Sequence, residues 1–165
     1  MFLNLLVSLL AVASLVAGSN EASVEWLKEN ALKEGVETLP SGLQYKVLKS
    51  GSGKLHPTVN SPCECHYKGT LIDGTQFDSS YDRGSPTTFA PNQVIRGWTE
   101  AMQLMVEGDK WELYIPSELG KATLGMYQNF TKANNLINFL NLELQDMEIV
   151  VVLLKSEVEM PWFSH

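Results

Sequence analysis

Three stretches of the chain alternate between apolar and polar residues. A period of two predicts strands, because successive side chains of a strand point to opposite faces of the sheet. The turn signal Asp73-Gly74 follows the second stretch and predicts a hairpin with a returning strand. The predicted strands are residues 43–47, 63–71, 75–80 and 110–115.

Two further stretches repeat their apolar residues with the period of a helix. Residues 21–34 lie between Asn20, which suits an N-cap, and Gly35, which suits a helix end. Residues 94–105 form the second predicted helix. Hairpin strands with one short internal helix indicate an α+β fold, in which an antiparallel sheet packs on that helix. One more helix precedes this domain.

The first predicted helix has a narrow apolar stripe, made of Trp26, Leu27, Ala31 and Leu32. Such a stripe is too narrow to form a core of its own. Two interpretations stay open. The helix docks on a neighbouring part of its own chain, or it docks on a second copy and forms a homodimer.

Two segments qualify as the last strand of the sheet. Residues 148–155 are rich in β-branched side chains and are favoured. Residues 134–146 would then be an inserted segment with helical spacing. Alternatively, residues 136–144 form the strand and the rest is a tail.

The bulk composition is that of one globular domain with a targeting or accessory segment. The 165 residues carry 19 acidic and 12 basic side chains, a net charge of −7. This charge repels phosphate backbones, so nucleic acid is not an expected partner. Cys63 and Cys65 occupy one face of a predicted strand and are expected to be free thiols. With nearby His66 they supply too few ligands for zinc, and no metal is expected.

Residues 1–18 resemble a secretory signal peptide. They contain no charged side chain, and an apolar run over residues 5–17 ends in small residues near Gly18. The expected location is the secretory pathway, either the lumen of the endoplasmic reticulum or outside the cell; an uncleaved anchor is the alternative. Asn129-Phe130-Thr131 is an N-glycosylation sequon, which makes Asn129 a candidate glycosylation site in such a compartment.

Two segments carry a specific resemblance. Residues 69–83, GTLIDGTQFDSSYDR, and residues 93–98, QVIRGW, resemble the FKBP-type peptidyl-prolyl cis-trans isomerases. Residues 25–30 and 41–48 further resemble the subset that includes the macrophage infectivity potentiators. The resemblance implies a twisted antiparallel sheet wrapped around a short helix. It also implies isomerisation of X-Pro bonds in proline-containing polypeptides, and binding of tacrolimus or rapamycin.

The resemblance also implies a pocket for a prolyl ring. Proline presents a flat apolar ring and an acyl carbonyl without an N–H, so its site needs aromatic walls and one donor. No nucleophile, general base or cofactor is required. The expected pocket residues are Trp98 as floor, Tyr67 and Phe77 as walls, Ile95 as the backbone donor, Val94 and Phe89 as further lining, and Asp78 with Arg83 as polar edge.

The chain departs from the family pattern after Gly120. The family has Tyr-Gly and a loop that forms one rim of the pocket, whereas this chain has Lys121-Ala122. The expected division is a signal over residues 1–18, a helix and linker over 19–40, the isomerase domain over 41–157 with a divergent segment at 121–147, and a tail over 158–165. A catalytically weak proline-binding or chaperone module is the alternative to an isomerase that assists folding in the secretory pathway.

Overall fold

The computed structural model describes residues 21–120 and 147–156 of the 165-residue chain. Residues 21–30 form helix α1. The second helix, α2, spans Arg96–Met102 and follows a short 3-10 turn at Pro91–Gln93. The strands are β1 Val36–Thr38, β2 Gln44–Lys49, β3 Cys63–Leu71, β4 Gln76–Ser79, β5 Thr87–Phe89, β6 Lys110–Ile115 and β7 Met147–Ser156.

Within the described residues, seven strands form one antiparallel sheet. The order is β1-β2-β6-β7-β3-β4, and β5 pairs with the same edge of β3 as β4 does. Strand β7 lies between β3 and β6, where Val151 pairs with Tyr67 on one side and with Trp111 on the other. The prediction that residues 148–155 form the closing strand is therefore confirmed.

Helix α2 packs on the inner face of the sheet. Gly97 permits this close approach, since a Cβ atom at that position would lie 2.7 Å from Cγ2 of Ile115 on β6. The core between helix and sheet confirms the predicted α+β arrangement. Its largest fully buried members are Leu43, Met102, Met105, Leu113, Ile115, Val151 and Leu153.

Helix α1 packs on the opposite, outer face of the sheet. Trp26 meets Tyr114 of β6 edge to face, with ring centroids 5.8 Å apart. The side chain of Gln44 on β2 donates to the Leu27 carbonyl at 2.8 Å and accepts from the buried Asn30 amide at 2.9 Å. Trp26 and the Leu27 main chain thus dock on the chain's own sheet, whereas Ala31 and Leu32 of the stripe are exposed.

The predicted boundaries differ from the observed ones at both helices. Helix α1 ends at residue 30, because the bond from Lys33 N–H to the Asn30 carbonyl spans three residues and tightens the chain into turns. Helix α2 begins at Arg96, since Val94 and Ile95 are extended. The three-residue strands β1 and β5 were not predicted.

Several predictions lie outside the described residues. They are the signal peptide, the inserted segment, the tail and the Asn129 sequon. Neither helix in residues 21–120 and 147–156 has the length and apolarity needed to cross a membrane.

Candidate functional site

Three aromatic rings meet on the inner face of the sheet. Tyr67 of β3 and Trp98 of α2 have centroids 4.9 Å apart, and Phe89 at the end of β5 lies 4.8 Å from Trp98 and 6.1 Å from Tyr67. All three contacts are edge to face, with interplanar angles between 63° and 75°. Because the rings come from three separate elements, their spacing depends on the packing of α2 against the sheet.

A β-bulge brings two consecutive residues of β4 to this inner face. Gly69 of β3 pairs with Asp78, whereas the next residue, Thr70, pairs with Gln76, so that Phe77 is the extra residue. Neighbouring residues of a regular strand point to opposite faces, and a bulge re-aims one of them. Phe77 and Asp78 can therefore both contribute to the same site.

Gly69 provides the space for the Phe77 ring. A Cβ atom on Gly69 would lie only 2.4 Å from Cζ of Phe77 and 2.7 Å from its Cε2. The ring thus lies directly over the glycine and packs, half-buried, against the core. Any larger residue at position 69 would displace this wall.

Asp78 forms the polar edge of the site. One carboxylate oxygen accepts from the Tyr67 hydroxyl at 2.5 Å, and the other accepts from the Ser79 N–H and from the Arg83 guanidinium. Arg83 also donates to the Tyr67 hydroxyl at 2.8 Å and to Thr87 at 3.3 Å. The carboxylate is therefore held in one orientation beside the aromatic rings.

The environment of this edge changes the pKa values of Tyr67 and Arg83. Burial, together with the hydrogen bond to Asp78, raises the pKa of Tyr67 to about 12. Burial acts to lower the pKa of Arg83, but its bonds to Tyr67 and Asp78 outweigh that effect and raise it. The phenol stays neutral and the guanidinium charged throughout the neutral pH range.

Val94 and Ile95 lie where the chain enters α2, and both are buried. Ile95 is the N-cap residue, and its N–H belongs to the first turn, where no helical acceptor exists. Among residues 21–120 and 147–156, no acceptor bonds to this N–H.

The structure thus places Tyr67, Phe89 and Trp98 in mutual contact, and joins Asp78 and Arg83 to Tyr67. Sequence reasoning missed three participants: Gly69, Thr87 and Ser80, whose Oγ contacts the Tyr67 main chain. The inward position of a glycine on β3 was the available signal for Gly69. Thr87 and Ser80 are common surface residue types, and nothing in the sequence distinguishes them.

The two cysteines stay outside this site. Cys63 and Cys65 are free and fully buried, in agreement with the prediction. Burial raises the pKa of Cys63 to about 11, so the thiol is protonated and unreactive at neutral pH.

A separate surface depression shares no residue with the aromatic cluster. It is lined by Ser41, Asn92, Arg96, Thr99, Glu100, Gln103, Leu104 and Leu119.

Comparison with protein families identifies the family of the chain. The sequence model of the FKBP-type peptidyl-prolyl cis-trans isomerases matches residues 53–140, more than half of the chain. A second model, for the domain amino terminal to such isomerases, matches residues 11–47. The chain therefore belongs to the FKBP-type peptidyl-prolyl cis-trans isomerase family. The first match enters the segment expected to be divergent and ends before β7 begins.

Individual relatives narrow the similarity. A macrophage infectivity potentiator of Trypanosoma cruzi is 51% identical over 100 residues, covering 61% of this chain and 51% of the relative. The FKBP-type 22 kDa peptidyl-prolyl cis-trans isomerase of Escherichia coli is 51% identical over 102 residues, covering 62% of this chain and 49% of the relative. The resemblance to the macrophage infectivity potentiators is thus confirmed. The chain spans about half the length of these relatives.

A solved structure matches the fold as well. The crystal structure of FkpA from Escherichia coli superposes with a TM-score of 0.69 at 30% identity, covering 88% of this chain and 62% of that one. The FKBP-like fold predicted from the sequence is confirmed.

Proposed function

We propose that the protein catalyses cis–trans isomerisation of X-Pro bonds in polypeptides that are folding. The observation that carries this proposal is the apolar cluster of Tyr67, Phe89 and Trp98 beside a single oriented carboxylate, Asp78. A prolyl ring requires apolar contact on its faces, and these rings supply it at one point of the inner face.

The reaction requires no covalent step. Rotation about the X-Pro bond crosses a barrier of about 18–20 kcal/mol, because the resonance of the planar amide has to be broken. The twisted amide is less charge-separated than the planar one, so a site that removes water favours it over either isomer. The aromatic rings thus lower the barrier by binding the transition state better than the ground state.

Two polar groups would orient the substrate. The N–H of Ile95, at the start of α2, has no acceptor among the described residues and is suited to bind the acyl carbonyl that precedes proline. Asp78 would face the amide from the other side. Because the bonds from Tyr67, Ser79 and Arg83 fix its carboxylate before substrate binds, no reorganisation is needed during rotation. Phe77 and Val94 complete the apolar lining in this proposal.

A protease-coupled cis–trans assay on a short X-Pro peptide tests the proposal. The wild-type chain should accelerate isomerisation, and Phe77→Ala should lower kcat/KM about tenfold to a hundredfold, because a buried Phe side chain contributes roughly 1.5–3 kcal/mol. Leu55→Ala is the matched control, since Leu55 is exposed in the loop before β3. If the folded wild-type chain binds the peptide without accelerating its isomerisation, the proposal of catalysis is contradicted. The alternative of a proline-binding module would then remain.

We further propose that the protein works in the secretory pathway. The support is the apolar run of residues 5–17 and the name of a relative from Legionella longbeachae, outer membrane protein MIP, which is 49% identical over 94 residues. Immunodetection in secreted and cell fractions, with and without a glycosidase, checks both the location and the glycosylation of Asn129.

We also propose that tacrolimus or rapamycin binds in the aromatic pocket proposed for the prolyl ring.

A homodimer through α1 belongs to the same proposal. Although Trp26 and Leu27 dock on the chain's own sheet, Leu32 just beyond the helix is 88% exposed and offers apolar contact. Light scattering of the wild-type chain and of Leu32→Glu measures the oligomeric state directly. A monomer in both cases would contradict the dimer.

A further inference from the structure

One edge of β3 has a gap between its two partner strands. Strand β5 pairs with residues Cys63 to Cys65, and β4 pairs with residues Lys68 to Thr70. Neither strand pairs with Tyr67 on this edge. The main-chain N–H of Tyr67, whose ring is central to the proposed pocket, therefore has no main-chain carbonyl of either strand as its acceptor.

Ser80 fills this gap. Its N–H donates to the Tyr67 carbonyl at 2.9 Å, and its hydroxyl oxygen accepts from the Tyr67 N–H at 2.8 Å. The side chain thus supplies the bond that a partner strand would otherwise make. Because Ser80 is fully buried, water cannot replace this bond.

His66 orients the Ser80 hydroxyl from the outer face of the sheet. The Nδ1 atom of His66 lies 2.9 Å from Ser80 Oγ, and that oxygen lies 3.2 Å from the Tyr67 carbonyl oxygen. In either tautomer of the imidazole, Ser80 Oγ keeps a lone pair that accepts from the Tyr67 N–H. Tyr81 stacks on the imidazole, with centroids 4.6 Å apart and planes 13° apart.

Tyr81, the residue that follows Ser80, begins the turn that carries Arg83. The Gly84 N–H donates to the Tyr81 carbonyl at 3.0 Å and closes this turn. The turn returns the guanidinium of Arg83 to the pocket, where it lies 5.4 Å from the centre of the Tyr67 ring. Ser80 is therefore bonded to the main chain of Tyr67 and directly precedes the turn that carries Arg83. It thus adjoins the elements that carry both partners of the hydrogen bond between Arg83 and Tyr67.

We propose that Ser80 is a positioning residue of the pocket, and that His66 with Tyr81 holds it in place from the far side of the sheet. Ser80 fixes the Tyr67 main chain and the start of the turn, and thereby sets the geometry in which Arg83 and Tyr67 bind Asp78. This role rests on the isomerase function proposed above. It also makes the outer surface at His66 and Tyr81 a determinant of the pocket.

A double-mutant cycle between Ser80 and Arg83 tests the proposal. Ser80→Ala should lower kcat/KM about tenfold, within the hundredfold that a displacement of about 1 Å can cost. In an Arg83→Leu background the same change should cost less than about twofold, because coupled sites are not additive. Ser80→Thr, which keeps the hydroxyl, should recover part of the activity.

A second readout does not depend on activity. In the wild-type chain the N–H protons of the Arg83 guanidinium should give separate, slowly exchanging NMR signals, because the group is held in one orientation. In Ser80→Ala these signals should merge, because the guanidinium becomes free to rotate. If the wild-type chain proves inactive, the function proposed above fails while these signals still decide the role of Ser80.

His66→Phe provides a variant that avoids a buried cavity, since His66 is only half-buried and Phe retains the stacking on Tyr81. Like Ser80→Ala, this variant should lower kcat/KM. If Ser80→Ala does not fold, the activity of His66→Phe tests the positioning role of Ser80. Lys68→Ala, at the next outer-face position of β3, is the control and should match the wild-type chain. Unchanged activity and unchanged Arg83 signals in a folded Ser80→Ala, or losses that add to those of Arg83→Leu, would overturn the proposal.

Discussion

Asp78 accepts hydrogen bonds from a phenol, a main-chain N–H and a guanidinium. Charge-assisted bonds of this kind are short and directional, so the carboxylate has little freedom to turn toward water. Its contact with Arg83 is partly exposed, with the arginine side chain 45% accessible, and a surface pair of this kind contributes only about 0–1 kcal/mol to stability. The value of the cluster lies in orientation of charge at the pocket.

Asp78→Asn should therefore reduce activity much more than stability. The amide keeps the shape of the carboxylate but removes its charge, leaving Arg83 without its ion pair. We expect kcat/KM to fall about tenfold, the size of effect for one lost charge-assisted contact of roughly 1.5 kcal/mol. Peptide isomerisation and urea unfolding measure the two effects. Asp82→Asn, which affects an exposed contact with Gln76, is the control. Equal losses in both variants would contradict the role of Asp78.

Tyr67 should give the protein a stability term that disappears in alkali. Because its pKa is about 12 in the folded chain, against 10.0 ordinarily, the folded state keeps a proton that the unfolded state loses. The stabilisation is fully present below pH 10 and is lost as the pH rises to about 12. Urea unfolding should show that the difference in the free energy of unfolding between the wild-type chain and Tyr67→Phe becomes smaller as the pH rises from 10 to about 12. A constant gap would contradict the shifted pKa.

The residues of the pocket were predictable to different degrees. Tyr67, Phe77, Asp78 and Trp98 were predicted because their types and spacing resemble a known family, and the structure brings Tyr67 into contact with Asp78 and Trp98. Ser80, Gly69 and Thr87 were not predicted. Their roles depend on which atom lies opposite in the folded chain, such as the Phe77 ring over Gly69, and residue type alone carries no such information.

At the scale of elements, the bulge in β4 lets the adjacent residues Phe77 and Asp78 supply the apolar wall and the polar edge of the proposed pocket. It works only while Gly69 leaves space beneath Phe77. The strand pair β3 and β4 is thus specified by an inward glycine on one strand and an extra residue on the other.

Gly69→Ala should move the Phe77 ring and lower kcat/KM for X-Pro peptides, mainly through KM, because the ring is a wall of the pocket. The steric cause predicts a specific rescue. Phe77→Leu, with a shorter side chain, should itself be impaired, but adding Gly69→Ala to it should cost about threefold less than in the wild-type background. The coupling is obtained by measuring kcat and KM for the wild-type chain, both single variants and the double variant. Strict additivity would show that the contact does not position Phe77.

Long elements were predicted more accurately than short ones. The bounds predicted for β3 and β6 agree with the structure, because alternation over six or nine residues is a strong signal. Strands β1 and β5 have three residues each, too few for a period to be visible, and both form only by pairing with a longer strand. Helix α2 was predicted too long, since the apolar residues Val94 and Ile95 are buried in an extended segment.

At the scale of the molecule, helices α1 and α2 lie on opposite faces of one sheet, so that the docking of α1 is remote from the proposed proline site. Gln44 connects α1 to the sheet through two hydrogen bonds. Gln44→Ala should lower the free energy of unfolding by about 1–3 kcal/mol, because it leaves the buried Asn30 amide without its acceptor, whereas the Leu27 carbonyl keeps its bond from the Ala31 N–H. Activity on a short peptide should change less than about twofold, within the ±0.5 kcal/mol typical of remote substitutions.

Urea unfolding and the peptide assay on the same preparations check this separation. Lys49→Ala, at an exposed position of the same strand, is the control and should leave both quantities unchanged. A large loss of activity in Gln44→Ala would show that the outer helix is coupled to the pocket.

The central position of β7 has a consequence for synthesis of the chain. The strand that carries Tyr67 pairs with β7 at nine positions, yet β7 is the last of the described strands to leave the ribosome. Until then, β3 and β6 both present unpaired edges, and such edges attract other extended chains. We therefore expect a nascent chain to be prone to aggregation until β7 has been translated. Slowing elongation before residue 147 should reduce the yield of native protein.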